Sequence, residues 1–379
     1  VTQEGVTLRH GDAILNQLPL VPSATSNLLE LVPYADTSLF AVAYVPGTGA
    51  ITYDAESGAV VDSAGGASNR CLGSFYFNQN LFVLLTTFPY GRVYDGATWS
   101  ALGYTGMNPD PLPGCVYKYR AYIIDGDPLT DPAYYYTNIS AISGAVTRVS
   151  LATVVSKICR LCTVAPITIS NEVSSVTLLA FVVSSGEVLF YSGSYPNSAD
   201  WSLVGRANIG QPLNYSNFIE YQGDALIYTD SGLISLRDLF LKGSNGAKNL
   251  STNSNIGNEW KTLVKAMRLV TTIPAGPIFA PGSIQGKIEG TWDEINNRII
   301  ISFPGYVDED GVFQWGSFYF VFDTELGAWS THRSYGSDSD AVVLGRGIRG
   351  ISYYKNKIYT MSRSVVWNKE GATGFTDRD

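Results

Sequence analysis

The 379-residue chain has little charge and few of the residues that usually build an active site. Only 15% of its residues are charged, and its two histidines are His10 and His332. A Ser-His-Asp site needs a histidine beside a nucleophile, and the sequence has no G-x-S-x-G motif. Two histidines are also too few for a zinc site with several histidine ligands. The composition therefore predicts a protein with no catalytic residue, no metal site and no cofactor.

Cysteine is scarce as well. The four cysteines are too few for a disulfide scaffold in a chain of this length. Cys159 and Cys162 form a single C-x-x-C, whereas a zinc ribbon needs a second such pair. The favoured interpretation is buried thiols on strands, for Cys71 and Cys115 as well. A disulfide and a redox or metal role are the alternatives.

Long hydrophobic runs and a signal peptide are absent. The longest apolar run, VTLLAFVV at 176–183, is far shorter than the roughly 20 residues of a membrane-spanning helix. Because the chain begins with Val1 rather than Met, we expect it to be processed or part of a longer polypeptide. The net charge of −8 argues against a protein that coats nucleic acid. It does not exclude a DNA conduit, since an acidic wall would repel the phosphate backbone and let DNA slide.

The residues that are abundant are those of β structure. The chain has 24 Tyr, 16 Phe and 38 Gly, which favours strands joined by glycine-containing turns. One pattern occurs three times: a strand ending in an aromatic residue and Asp, a short turn with Gly, and a second short strand. It is found in TYDAESGAVV (52–61), VYDGATWSAL (93–102) and VFDTELGAWS (321–330). Since Asp bonds its own backbone and Gly tolerates positive φ, we interpret this pattern as the turn between the third and fourth strands of a four-stranded unit.

Strand–turn–strand segments recur along the chain with an aromatic residue just before or at the turn. They are FYFNQNLFVLL (75–85), VYKYRAYIID (116–125), IEYQGDALIYT (219–229), TWDEINNRIIISF (291–303) and SYYKNKIYTM (352–361). Four-stranded antiparallel units repeating every roughly 40 to 70 residues are typical of a β-propeller. The sequence therefore predicts an all-β fold, one propeller domain over residues 1–379 with about seven blades, possibly six. A β-sandwich or two tandem β domains is the alternative.

One segment departs from the strand pattern. In NEWKTLVKAMRLV (258–270) the apolar residues have the spacing of an amphipathic helix, and three basic residues share the opposite face. A polar Gly/Ser/Asn stretch precedes it, so we predict a loop and helix inserted between blades at about 242–285. The helix either caps the propeller with a solvated basic face or docks an acidic neighbouring subunit or DNA. The candidate subunit interface consists of Trp260, Lys261, Lys265 and Arg268.

Two further sets of residues are weaker candidates for binding. Asp308, Asp310 and Gly311 resemble part of a calcium loop but lack the rest of its 12-residue pattern. Tryptophans on outer hairpins could stack on sugars if exposed, although their position favours packing between blades. They are Trp99, Trp201 and Trp329.

Longer segments resemble a known family. VLFYSGSYPNSADWSLVGRANIGQPL (188–213), followed by FIEYQGDALIYTDSGLISL (218–236), is similar to the propeller of tailed-phage tail and head-to-tail proteins. WDEINNRIIISFPG (292–305) and FYFVFDTELGAWSTH (318–332) resemble late blades of the same family. The resemblance extends to the tail nozzle of short-tailed, podovirus-like phages, and it covers residues from about 190 to 370 best.

This resemblance implies a structural virion component of the phage tail, without enzymatic activity, assembled in the host cytoplasm. Such nozzles form sixfold rings below the adaptor, carry fibres and form the channel through which DNA leaves. The implied partners are further copies of the chain, adaptor and fibre proteins, and DNA in transit. Two alternatives remain. A glycan-binding or glycan-cleaving propeller would expose aromatic residues beside a carboxylate pair at its central mouth, and a cellular propeller scaffold would bind protein partners.

Overall fold

The structure of the protein is mostly β. The computed structural model describes residues 13–17, 27–66, 68–126, 130–170, 174–216, 218–247, 249–251, 256–273, 277, 288–308, 310–334, 350–361 and 365–368. Within these ranges the chain forms 29 strands and two helices. The prediction of an all-β fold is confirmed.

The first three main sheets are antiparallel and four-stranded. Sheet 1 consists of β2 (Asn27–Tyr34), β3 (Ser38–Val45), β4 (Gly49–Asp54) and β5 (Val60–Gly65). Sheet 2 consists of β6 (Cys71–Phe77), β7 (Asn80–Leu85), β8 (Gly91–Tyr94) and β9 (Trp99–Ala101). Sheet 3 consists of β11 (Leu112–Tyr117), β12 (Arg120–Ile124), β13 (Ala133–Tyr136) and β15 (Thr147–Ser150). A separate parallel pair joins β10 (Gly103–Thr105) to β14 (Ser143–Ala145).

The later sheets include one exception to the four-stranded rule. Sheet 4 consists of β16 (Leu161–Ser170), β17 (Ser175–Val183), β18 (Glu187–Ser192) and β19 (Ser202–Asn208). Sheet 5 has only β20 (Ile219–Tyr221), β21 (Asp224–Thr229) and β22 (Gly232–Ser235), and the helices α1 (Leu236–Lys242) and α2 (Gly257–Thr271) follow it. Sheet 6 consists of β23 (Glu289–Asp293), β24 (Arg298–Val307), β25 (Phe313–Asp323) and β26 (Ala328–Ser334). Sheet 7 consists of β27 (Gly350–Tyr354), β28 (Lys357–Met361), β29 (Val365–Asn368) and the early strand β1 (Ala13–Gln17).

The sheets form a closed circle, and the fold is a β-propeller. First strands contact each other from β2 through β6 and β11 to β16, and from β23 through β27 back to β2. Sheet 5 lies between these two arcs, because β21 contacts β16 and β20 contacts β23. The ring is closed by β1, which pairs with β29 and supplies the fourth strand of sheet 7. Six of the sheets are four-stranded blades, and the three-stranded sheet 5 completes the circle. The sequence predicted about seven blades, possibly six.

Hydrophobic clusters hold neighbouring sheets together. Between sheets 3 and 4, for example, the buried rings of Tyr134 and Phe181 have centroids 4.7 Å apart. Because both faces of a blade pack on a neighbour, its second strand is buried along nearly its whole length, as in β7 and β3. Such strands read as continuous apolar runs rather than as alternating ones.

The repeated aromatic-Asp turns join third to fourth strands, as predicted. They connect β4 to β5, β8 to β9 and β25 to β26. The Asp95 carboxylate accepts hydrogen bonds from the backbone N–H groups of Thr98 and Ala97, at 2.7 and 2.9 Å. Asp54 and Asp323 accept equivalent bonds in their own turns. This bonding explains why Asp recurs at that position.

Two-residue turns join the first and second strands of sheets 2, 3, 5 and 7. Both turn residues have positive φ, the geometry of type I′ hairpins, at Asn78–Gln79, Lys118–Tyr119, Gln222–Gly223 and Lys355–Asn356. The aromatic residue before the turn is buried in three of them, at Phe77, Tyr117 and Tyr354. The aromatic residues that mark these turns in the sequence therefore belong to the core.

Two of the elements that were not predicted from the sequence are strand β16 and helix α1. Strand β16, which contains Pro166, was not predicted, because the sequence does not clearly separate the units around 140–175. Since β16 pairs only with β17, the missing N–H of proline is tolerated there. Helix α1 was also not predicted. It begins after Ser235, whose hydroxyl accepts a hydrogen bond from the N–H of Asp238.

No helix in the described part of the chain is long and apolar enough to cross a lipid bilayer.

Candidate interaction surface on helix α2

Helix α2 packs its apolar side across the junction of sheets 5 and 6. It contacts β22, β24 and β25, and the residues at the predicted apolar spacing are buried: Trp260, Leu263, Val264 and Met267. The helix begins one residue earlier and ends one residue later than the predicted 258–270. Its orientation is therefore fixed by the same periodicity that identified it in the sequence.

Trp260 is the anchor of this packing. Its side chain is fully buried, and its indole Nε1–H donates a hydrogen bond to the backbone carbonyl of Thr229 at 2.9 Å. The ring packs edge-on against Phe303, with centroids 5.0 Å apart, and also contacts Phe320. Trp260 therefore belongs to the core of the fold and does not lie on the surface as part of a subunit interface.

The outward side of α2 carries two exposed lysines, Lys261 and Lys265. Near its end, Leu269 is 72% exposed and Val270 is 47% exposed. An open groove of about 580 Å³ runs along this side, lined by Asp230, Lys261, Val264, Lys265, Arg268, Leu269 and Thr272. We call Lys261, Lys265 and Leu269, which all line this groove, the α2 surface.

Arg268 does not extend from the helix as the two lysines do. Its guanidinium bonds the carboxylate of Asp230 through Nε and Nη2, and Nη1 donates to the backbone carbonyl of Ile273. Only 11% of its side chain is exposed. The predicted basic face of three residues is thus a pair of lysines, because the third cation ties the helix to the turn between β21 and β22.

Helix α1 is attached through a buried carboxylate. Asp224 accepts hydrogen bonds from the backbone N–H groups of Arg237 and Ala225, each at 2.8 Å, and from the hydroxyl of Ser235. Burial raises the pKa of Asp224, although the hydrogen bond from Ser235 opposes this effect. Asp224 thus links the second strand of sheet 5 to the first turn of α1.

The other candidates from the sequence lie in structural positions. Asp308 accepts bonds from the N–H groups of Asp310 and Val312 and from the side chain of Gln314, so its carboxylate closes the turn. These bonds lower the pKa of Asp308, with the bond from Gln314 first. His332 lies on β26, and His10 lies outside the described residues. Among the residues that the structure describes, no group of three His, Cys, Asp or Glu side chains could hold a metal ion.

All four cysteines are buried, and no disulfide joins any two of them. Cys71, Cys115 and Cys162 lie on first strands, as the favoured interpretation predicted, whereas Cys159 lies two residues before β16. Burial raises the pKa of the Cys115 and Cys162 thiols, which keeps both protonated.

The three tryptophans on outer hairpins pack against other aromatic residues. Trp99 contacts Phe40 of sheet 1, and Trp201 contacts Tyr117 of sheet 3. Trp329 is buried, and its indole N–H donates to the backbone carbonyl of Leu250 at 2.7 Å. The interpretation as packing between blades is confirmed for Trp99 and Trp201, and Trp329 likewise lies in the cluster between sheets 5 and 6.

The comparisons with known proteins support the fold alone. The chain is similar to the extracellular domain of a hybrid two-component system from B. thetaiotaomicron, with 12% identity and a TM-score of 0.57. That match covers 96% of this chain and 41% of the other. The chain is less similar to the computationally designed Ika8 protein, with 10% identity and a TM-score of 0.47 over 94% of this chain and 99% of that one. Its similarity to YCF48 from Cyanidioschyzon merolae has 12% identity and a TM-score of 0.44, over 94% of this chain and 98% of that one. No family model matches the sequence, and a search of curated proteins found no match.

Proposed function

We propose that this chain is a structural propeller of a phage tail, which assembles with further copies of itself through the α2 surface. The observation that carries the assembly is the combination of two exposed lysines, Lys261 and Lys265, with the exposed apolar side chain of Leu269 around one groove. The sequence resemblance to tail nozzle proteins supports a place in the phage tail. In that setting the neighbours are adaptor and fibre proteins, and DNA passes through the assembled ring.

The chemistry of the α2 surface suits an acidic partner. Leu269 lies in a groove whose lining also includes two exposed lysines, and an apolar centre with a polar rim is typical of an interaction site. The whole chain carries a net charge of −8, so another copy would offer many carboxylates to Lys261 and Lys265. Opposite charges at the rim of an interface favour association and orient the partners.

The experiment reverses the charge of the two exposed lysines. The double variant Lys261→Glu/Lys265→Glu is expected to lose the ring while keeping the melting temperature of the unsubstituted protein. Arg268 is left unchanged, since its substitution would leave Asp230 without its partner in the fold. Light scattering and electron microscopy measure the size and shape of the particles.

A matched control separates local from general charge effects. Lys157→Glu/Lys357→Glu changes the net charge by the same amount at two exposed lysines away from α2, one in the loop between β15 and β16 and one at the start of β28, and it should assemble normally. Equal loss of assembly in both variants would contradict an interface at α2. The phage setting is tested separately by electron microscopy of particles from the source. Density for this propeller in a short tail supports the proposal, whereas a protein that stays monomeric and lies on no particle overturns it.

A further inference from the structure

A second groove lies between sheets 3 and 4, at the opposite end of the strands from the α2 surface. It has a volume of about 530 Å³ and surrounds the turn between β11 and β12, with sheet 4 as its other wall. The α2 groove instead includes Asp230, in the turn between the second and third strands of sheet 5. In antiparallel sheets these two kinds of turn lie at opposite ends, so the two grooves are separate.

Tyr119 is the unusual residue of this groove. It occupies the second position of a type I′ turn with φ of 61°, a conformation that glycine adopts freely and that is an outlier for a bulky side chain. The equivalent positions in the other three turns hold Gln79, Gly223 and Asn356. The Tyr119 side chain is 73% exposed, and no ring contact joins it to another aromatic residue of the described chain. The turn therefore holds an aromatic ring toward solvent at a conformational cost.

The rest of the groove supplies polar groups in fixed positions. The Arg120 guanidinium stacks over the ring of Tyr195, 4.4 Å from its centroid, and one of its five N–H groups donates to the carbonyl of Thr137. In the same groove, the Asp200 carboxylate accepts a hydrogen bond from the hydroxyl of Ser194 at 2.7 Å. Hydrogen bonds from Ser198 and Ser194 lower the pKa of Asp200 to about 2, so it is ionised near neutral pH. The exposed side chains of Ile139 and Val176 complete the lining.

We propose that this groove binds a carbohydrate, with Tyr119 as the stacking platform and Arg120 and Asp200 as hydrogen-bonding groups. A sugar ring presents C–H groups that pack on an aromatic face, and hydroxyls that both donate and accept hydrogen bonds. Those hydroxyls suit a site that offers a cation and a carboxylate together. An extended peptide would need unpaired backbone groups instead. Two backbone carbonyls that line the groove, those of Thr177 and Gly193, already have a protein donor, because both lie within hydrogen-bond distance of the Tyr117 hydroxyl.

The test uses an array of immobilised neutral and acidic oligosaccharides, probed with the full chain. Tyr119→Gly is expected to lower binding by at least about tenfold, the order contributed by one aromatic contact. The same substitution should raise the melting temperature, since glycine relieves the positive φ. Tyr119→Phe keeps the ring and should bind within about twofold of the unsubstituted chain.

Gln79→Gly is the matched control. It places glycine at the equivalent position in sheet 2, so it should stabilise the fold in the same way and leave carbohydrate binding unchanged. The proposal fails if the unsubstituted chain retains no saccharide, or if Tyr119→Gly binds as well as the unsubstituted chain. Capture of peptides from a random library, without any saccharide, would also overturn it. None of these outcomes depends on whether the protein assembles through the α2 surface.

Discussion

Sheets 2 and 5 cover the preceding blade in two different ways. In sheet 2 the fourth strand does so, because Trp99 at the start of β9 packs against Phe40 of sheet 1, with centroids 5.2 Å apart. Sheet 5 has no fourth strand, and α1 follows its third strand directly. Phe240 of α1 packs edge-on against Phe190 of sheet 4, also at 5.2 Å.

The difference shows what a blade needs from its outer element. A fourth strand is held by a backbone ladder and adds an aromatic side chain to the junction. The helices of sheet 5 have no ladder, so side chains must attach them: Asp224 for α1, and Trp260 with Arg268 for α2. We therefore expect sheet 5 to depend on single side chains more than the regular blades do.

The largest expected effect is that of Trp260→Ala. Removing a fully buried tryptophan leaves a cavity and an unpaired Thr229 carbonyl, and should lower the free energy of unfolding by about 3–5 kcal/mol. Trp99→Ala, in a half-buried position on a regular blade, should cost about 1–3 kcal/mol. Urea denaturation followed by far-UV circular dichroism measures both. A larger loss for Trp99→Ala would reverse the comparison between the two sheets.

The regular blades were predictable from the sequence to within a few residues. In sheet 1 the segments LLELVPY (28–34), SLFAVAYV (38–45) and AITYD (50–54) predict three strands that match β2, β3 and β4 closely. Short apolar runs bounded by turn residues are a local signal. Helix α2 was also predictable from a local signal, because the spacing of its apolar residues shows which side of the helix is buried.

The attachments between elements could not be predicted in this way. The partner of Arg268 is Asp230, 38 residues away, and helical spacing alone placed Arg268 beside the exposed lysines. The exposure of Leu269 and Val270 was not predicted, because apolar residues in an amphipathic helix are expected to be buried. Tyr119 had a weak signal, an aromatic residue where a two-residue turn favours Gly or Asn. The partner of Arg268 depends on a contact distant in sequence, which the sequence of one chain does not report.

An intermediate effect is expected when the attachment of α2 is cut at Arg268. Arg268→Ala removes three hydrogen bonds of a charged, largely buried group and should cost about 1.5–3 kcal/mol in stability. Lys265→Ala, one turn away and exposed, should change stability by less than about 0.5 kcal/mol. Thermal unfolding of the two variants side by side distinguishes them. If Arg268→Ala and Lys265→Ala were equally stable, the ion pair with Asp230 would contribute nothing measurable to the attachment of the helix.

The smallest effect is a pH dependence with opposite signs in the two kinds of sheet. Asp95 lies exposed in the turn of sheet 2, where backbone bonds from Thr98 and Ala97 lower its pKa. Folding therefore favours its ionised form, and the stability it contributes is lost as pH falls below its unfolded pKa of about 3.9. Asp224, under α1, has a raised pKa because it is buried. Folding favours its protonated form, so its contribution grows as pH falls through its folded pKa.

Neutral variants isolate these two contributions. Between pH 6 and pH 3, the stability gap between the unsubstituted protein and Asp95→Asn should narrow, while the gap to Asp224→Asn should widen in favour of the unsubstituted protein. Thermal unfolding at several pH values measures both gaps, and subtraction cancels the titration of every other carboxylate. If both gaps moved in the same direction, burial would not dominate at Asp224. Its three hydrogen bonds would then outweigh desolvation, and α1 would be attached by a carboxylate that behaves like those of the regular turns.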